Sequence, residues 1–146
     1  APSQDPEIYR SFVKDENIYV VENCTYDLLS VSHAAMVTSG TATLETALFK
    51  VPEVVCYKGN EISYRIAKKL IKVKYISLVN LIMDREIVKE LIQKDCNPVQ
   101  IRAEIDMLRN DSAYRKSMED SYDVLEEMLG GEGASKKVAQ FLLKTI

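Results

Sequence analysis

The 146-residue chain has a single histidine, His33, and only three cysteines, Cys24, Cys56 and Cys96, spread far apart with no Cys-x-x-Cys pair. That scarcity removes the ligand spacing of a structural zinc site and offers no framework for disulfides, so no metal is expected. The thiols read as structural, Cys56 above all, because inside an apolar run a free cysteine packs as a small hydrophobe. Positive charge is not in excess either. Nineteen Lys and Arg against 22 Asp and Glu leave a net charge of −3, which denies the chain the basic field that nonspecific nucleic-acid binding requires. No apolar run approaches the roughly 18 residues of a membrane-spanning helix, and no charged-then-apolar leader opens the chain. Internal repeats and low-complexity segments are absent. The expected compartment is the cytoplasm.

What is present suits one globular core. Hydrophobic residues make up 47% of the chain, enough for one sizeable core in a length too short for two ordinary domains. The opening Ala1-Pro2-Ser3-Gln4-Asp5-Pro6 reads as a loop entered from a preceding element, so residues 1–146 are expected to be one α/β domain cut from a longer protein. Three short β-branched or aromatic runs, Ile18–Val21, Ala35–Thr38 and a third within Val51–Tyr57, read as buried strands. Between the first two, Thr25 is placed to cap a short helix ending at Ser30. Between the second and third, Thr41–Phe49 is helical, with Leu44, Ala47 and Leu48 at i, i+3 and i+4. Strands separated by helical crossovers imply parallel pairing.

Glu61–Lys72 is a strongly amphipathic helix pattern, with Ile62, Ile66 and Leu70 on one face and Arg65, Lys68, Lys69 and Lys72 on the other. Ile76–Ile82 reads as a strand or extended loop. Pro98 suits the first turn of a helix, and residues 98–146 carry three helical stripes: Ile101, Ile105 and Leu108; Met118, Tyr122, Leu125 and Leu129; Val138, Phe141 and Leu142. Gly130-Gly131-Glu132-Gly133 separates the last two.

The segment most informative about chemistry is Val37–Glu45, Val-Thr-Ser-Gly-Thr-Ala-Thr-Leu-Glu, in which a strand empties into a small-residue turn that becomes a helix at once. The first turn of a helix carries N–H groups without intrahelical acceptors and the positive end of the macrodipole, which together suit a phosphate. Gly40 lets the backbone approach closely, and the hydroxyls of Ser39, Thr41 and Thr43 add donors without bulk. Glu45, one turn in, is placed to accept hydrogen bonds from a ribose diol, by analogy with the acidic residue of dinucleotide folds. Taken alone, the same pattern also describes a plain helix cap.

Four blocks extend it. Ser39–Glu45 with Ala47, then Pro52 and Val54–Lys58, then Tyr75–Ile82, then Glu90–Gln93 follow one another in an order and spacing that closely resemble the C-terminal half of lipid-A-disaccharide synthases, and the resemblance covers nearly the whole chain. It implies a Rossmann-like parallel sheet flanked by helices, forming the C-terminal half of a GT-B glycosyltransferase. The implied reaction moves 2,3-diacylglucosamine from UDP to 2,3-diacylglucosamine 1-phosphate with inversion, giving lipid A disaccharide 1-phosphate and UDP, without a cofactor. By similarity Ser39, Gly40, Thr41, Ala42 and Thr43 would bind the diphosphate, Glu45 the ribose, and Tyr57, Asn80 and Gln93 would lie by the UDP-sugar. The lipid acceptor and the general base would belong to the other half, which leaves the isolated chain inactive. His33 reads as a structural or surface residue.

Two positions depart from the family pattern. Val79 stands where a proline is usual before Asn80, and Lys58 where arginine is more common, keeping the charge but losing the bidentate fork. Other UDP-N-acetylglucosamine-dependent enzymes of the same fold, a peptidoglycan transferase or an epimerase, share the turn and its acidic residue, and a nucleotide-binding domain without catalysis is a further reading. The blocks around Asn80 and Gln93 favour the lipid A enzyme. The basic face of Arg65, Lys68, Lys69 and Lys72 is either a solvated helix face or a peripheral contact with the inner face of the bacterial inner membrane. Val138, Phe141 and Leu142 would lose their covering in an isolated half and favour self-association.

Overall fold

A computed structural model of the chain describes residues 5–60, 74–130, 133 and 139–143. The chain divides into two compact units, Ala1–Val31 and Ser32–Ile146.

The first unit holds two short helices, α1 (Pro6–Phe12) and α2 (Thr25–Val31). Asp5 caps α1 by accepting from the Glu7 N–H at 3.0 Å, with Pro6 in the first turn where its missing N–H costs nothing. The strand expected at Ile18–Val21 is not formed: these residues have no regular structure, and Tyr19 is 80% exposed. β-branched residues make a strand only against a ladder partner, and no strand is found in this unit among the described residues. Thr25 is the first helical residue rather than the cap before it; the Cys24 carbonyl accepts from the Leu28 N–H.

The second unit is built on three parallel strands, β1 (Ala35–Thr38), β2 (Glu53–Tyr57) and β3 (Lys89–Ile92), in spatial order β1-β2-β3. β1 and β2 fall where the sequence puts them. β3 was quoted above only as part of a family block, because Lys-Glu-Leu-Ile is too short and too polar to announce a strand. α3 (Thr41–Leu48) crosses from β1 to β2 and touches both. Its buried face differs from the expected one: Thr43, Thr46 and Ala47 are buried, while Leu48 is exposed. The two threonines can turn inward because each hydroxyl donates to a carbonyl of its own helix, Thr43 to Gly40 and Thr46 to Ala42, both at 2.8 Å.

Ile76–Ile82 is neither strand nor extended loop over most of its length; it contains helix α4 (Leu78–Met83). Ser77 caps it, its Oγ accepting from the Asn80 N–H at 3.3 Å, and Asp84 ends it in a left-handed conformation. Only six residues long, the helix shows too little periodicity to be seen in sequence. The Glu61–Lys72 pattern, with Arg65, Lys68, Lys69 and Lys72, lies outside the described residues.

A 3₁₀ turn (Gln93–Asp95) leads to α5 (Pro98–Asn110), capped by Asn97, and then α6 (Ser112–Leu129), capped by Asp111 and closed by Gly130 at φ 81°. The core gathers Val54 and Val55 of β2, Val88 and Leu91, Val79 of α4, Leu108 of α5, and Met118, Tyr122 and Leu125 of α6. Leu129, assigned to the same stripe, is exposed, as are Phe141 and Leu142 in the helical stretch 139–143.

Candidate functional site

The register of the sheet brings three chain segments to one edge. Thr38 pairs with Cys56, Cys56 with Leu91, and Tyr57 with Ile92, so the carboxyl ends of all three strands empty on the same side. In open parallel sheets ligands bind at that edge. It carries Ser39–Thr43 after β1, Tyr57-Lys58-Gly59 after β2 and Gln93 after β3.

The turn after β1 is tight because of Gly40, whose φ of 127° and ψ of −159° lie in a region that side chains rarely enter. A Cβ there would meet no heavy atom within 4 Å, so conformation and not crowding requires the glycine. Its carbonyl accepts from the Thr43 N–H at 3.2 Å and from the Thr43 hydroxyl at 2.8 Å. Thr43 is fully buried. The Ser39 hydroxyl donates to the Ile76 carbonyl at 2.9 Å. Of the three hydroxyls read as ligand donors, those of Ser39 and Thr43 are therefore engaged within the protein, and Thr41 is exposed. Thr41 and Ala42 also occupy the first turn of α3, where N–H groups have no intrahelical acceptor. Glu45, one turn further on, is half-buried and its carboxylate has no hydrogen-bond or ion-pair partner among the described residues.

The rim after β2 is fastened by Gln93. Its Oε1 accepts from the Gly59 N–H at 2.7 Å and its Nε2 donates to the Gly59 carbonyl at 3.2 Å, so one side-chain amide adds a rung to the β2–β3 pairing beyond the strand ends. Gln93 holds a left-handed φ of 52° to do so. Tyr57 is 40% exposed, and its phenol oxygen lies 3.0 Å from where a Gly59 Cβ would stand.

Asn80 is fully buried and its amide is saturated. Oδ1 accepts from the N–H groups of Ile87 and Val88 at 2.7 and 3.0 Å; Nδ2 donates to the Val88 carbonyl and to Glu90 Oε1 at 2.8 and 2.9 Å. Glu90 in turn accepts from the Ile76 and Ser77 N–H groups and the Ser77 hydroxyl. Sequence reasoning noticed Glu90 only inside a matched block. A carboxylate set directly before the apolar pair Leu91-Ile92 was the available signal.

His33 is exposed, and its carbonyl accepts from Arg115 at 2.7 Å. Cys56 and Cys96 both pack against the core; burial first, and then Cys96, pushes the Cys56 thiol up to about 11, which leaves it protonated and unreactive. Among the described residues no helix is long and apolar enough to cross a membrane.

A parallel sheet flanked by helices, with a glycine-bearing turn and a helix N-terminus at its carboxyl edge, defines a Rossmann-like α/β domain. The family model for lipid-A-disaccharide synthetase matches residues 3–145. The chain is 39% identical over 129 residues to the lipid-A-disaccharide synthase of Syntrophus aciditrophicus (strain SB), covering 88% of this chain and 34% of that one. It is 44% identical over 112 residues to the enzyme of the same name from Wigglesworthia glossinidia brevipalpis, covering 76% and 29%. With that of Sulfurihydrogenibium sp. (strain YO3AOP1) it shares 34% over 139 residues, covering 95% and 36%. The chain belongs to the lipid-A-disaccharide synthetase family. It spans about a third of the length of these relatives.

Proposed function

We propose that this chain is the donor-binding half of a lipid-A-disaccharide synthase and holds UDP-2,3-diacylglucosamine at the carboxyl edge of its sheet. The observation that carries the reading is the pairing of two features: a glycine turn opening α3, and, one helical turn behind it, a half-buried Glu45 carboxylate with no protein partner among the described residues. The N–H groups of Thr41 and Ala42, with the Thr41 hydroxyl, are the donors for the diphosphate, and Glu45 accepts from the ribose hydroxyls. Tyr57 stands on the rim beside the sugar or base. Ser39, Thr43, Asn80 and Gln93, whose side chains are engaged internally, support the site by holding its frame.

In the transfer, the bond between the anomeric carbon and the diphosphate oxygen breaks while the 6-hydroxyl of 2,3-diacylglucosamine 1-phosphate attacks from the opposite face, which inverts the centre. The electron pair leaves with UDP. A helix N-terminus aimed at the diphosphate stabilises that departing charge. The base that takes the hydroxyl proton, and the acceptor site, belong to the remainder of a longer protein acting at the cytoplasmic face of the inner membrane.

Calorimetric titration of UDP into the purified chain tests the reading, with Glu45→Ala and Thr43→Val alongside. Saturable binding weakened by both substitutions is the expected result. A folded chain that takes up no UDP refutes donor binding by this half alone.

A further inference from the structure

Glu90 has more hydrogen-bond donors around it than strand β3 needs. Its two oxygens accept from the Ile76 N–H at 3.1 and 2.9 Å, the Ser77 N–H at 3.0 Å, the Ser77 hydroxyl at 2.8 Å and the Asn80 amide at 2.9 Å. These are charge-assisted bonds to a half-buried carboxylate, stronger and shorter than neutral ones. The peptide unit between Ile76 and Ser77 deserves separate mention because both of its polar ends are used. Its N–H points at Glu90, and its C=O accepts from the Ser39 hydroxyl at 2.9 Å. One rigid peptide plane therefore joins the carboxylate on β3 to the residue that immediately precedes Gly40. Polarisation runs in one sense along such a chain: a carboxylate drawing on the N–H makes the carbonyl a better acceptor for the hydroxyl. Asn80 fixes the far side, since the amide that donates to Glu90 is itself held by the backbone of Ile87 and Val88.

We propose that Glu90 is the positioning residue of the Ser39–Thr43 turn, acting through the Ile76–Ser77 peptide and the Ser39 hydroxyl to hold the first turn of α3 in the one geometry that presents its N–H groups to a diphosphate. The assignment of that turn to a diphosphate rests on the function proposed above; the positioning does not. Without the link, the turn is tied to the rest of the fold only through Thr43, whose N–H and hydroxyl donate to the Gly40 carbonyl, and Gly40 can exchange among the conformations a glycine allows.

The test is ¹⁵N relaxation of the Gly40–Thr43 amides in the full 146-residue chain, measured for the wild type, Glu90→Gln, Ser39→Ala, Ser39→Thr and the double variant Glu90→Gln/Ser39→Ala, with UDP titrations on each. Glu90→Gln can keep an acceptor where Oε1 receives Ser77 and Asn80 but removes the charge that strengthens those bonds and polarises the Ile76–Ser77 peptide. The expected result is a fall in heteronuclear NOE at Gly40–Thr43 in Glu90→Gln and in Ser39→Ala, unchanged values in α5 and α6, recovery in Ser39→Thr, and a double variant no more mobile than the worse single one. UDP affinity should fall about tenfold in Glu90→Gln. A folded Glu90→Gln whose turn relaxes as in the wild type overturns the proposal, as does strict additivity in the double variant. If Glu90→Gln does not fold, Ser39→Ala decides, since it removes the link at its Ser39 end outright and leaves the bonds of Glu90 intact; an unchanged turn there is equally fatal. A wild-type chain that ignores UDP sinks the donor assignment while the relaxation data still judge the positioning.

Discussion

At the amino-terminal end of β2, Glu53 is wholly buried and neither carboxyl oxygen has a hydrogen-bond partner among the described residues. On the neighbouring β3, Glu90 sits opposite Val55 and is surrounded by donors. The same side chain meets opposite treatment at two positions of one small sheet. At the Glu53 end the surroundings are apolar core and helix α6, and burial pushes its carboxyl up to about 9, so it is neutral at pH 7. The adjacent positive charge is engaged elsewhere: Lys50 pairs with Asp123 and Glu126 at 2.7 Å, and although burial works to lower its pKa, those two carboxylates outweigh it and raise it. Around Glu90 the Ile76 and Ser77 N–H groups of the loop before α4 come to the carboxylate. Polar order is thus concentrated around Glu90, Asn80 and the Ile76–Ser77 peptide, while the start of β2 tolerates a buried carboxyl without partners among the described residues.

Breaking the ordered cluster should have the largest effect. Asn80→Ala deletes four side-chain bonds and leaves the Ile87 and Val88 N–H groups buried without acceptors; a loss of roughly 3–5 kcal/mol in urea denaturation is expected. The tolerant end should respond in the other direction. Because the folded pKa of Glu53 lies above the unfolded value, its favourable contribution is complete below about pH 4.5 and is lost as pH rises toward 9. Glu53→Gln should therefore match the wild type near pH 4 and exceed it by roughly 2–4 kcal/mol at pH 8, read from denaturation midpoints across that range. A wild type that gains stability between pH 5 and 8 relative to this variant would show that Glu53 has found a partner. Gly40→Ala sharpens the first half of the contrast: the side chain has room, so a loss of about 1–2 kcal/mol would report the backbone conformation alone. Smaller still, Glu45→Ala should leave the melting temperature nearly unchanged while UDP affinity falls about tenfold. The exposed Lys74–Asp84 pair, at 3.2 Å, sets the floor; Lys74→Ala should change stability by less than ~0.5 kcal/mol.

The parts of this contrast legible in sequence are those with local causes. β1, the glycine turn, α3 and the proline-led start of α5 each announce themselves within a few residues, and all form where expected. Ile18–Val21 failed as a strand because an extended run needs a neighbour that sequence cannot supply. α4 and β3 escaped because six and four residues hold too little periodicity. In the candidate site, Ser39, Thr43, Asn80 and Gln93 are visible in sequence as polar residues near the turn and strand ends, but the direction of their hydroxyl and amide groups depends on Ile76, Gly40, Val88 and Gly59. Those contacts range from 3 to 37 residues in separation, and most are set by which strands lie side by side.

The Gln93 clamp has a mechanical consequence. A loop leaving the end of a strand normally swings as a lever about its last ladder bond, with its tip the least constrained point. Here the pivot is carried two residues beyond β2, to Gly59, and is pinned to the side chain of the residue that immediately follows β3. Any pull on that rim by a bound molecule is thereby delivered as shear between two strands of the sheet rather than as bending of a loop, so the edge and the sheet beneath it answer a ligand together.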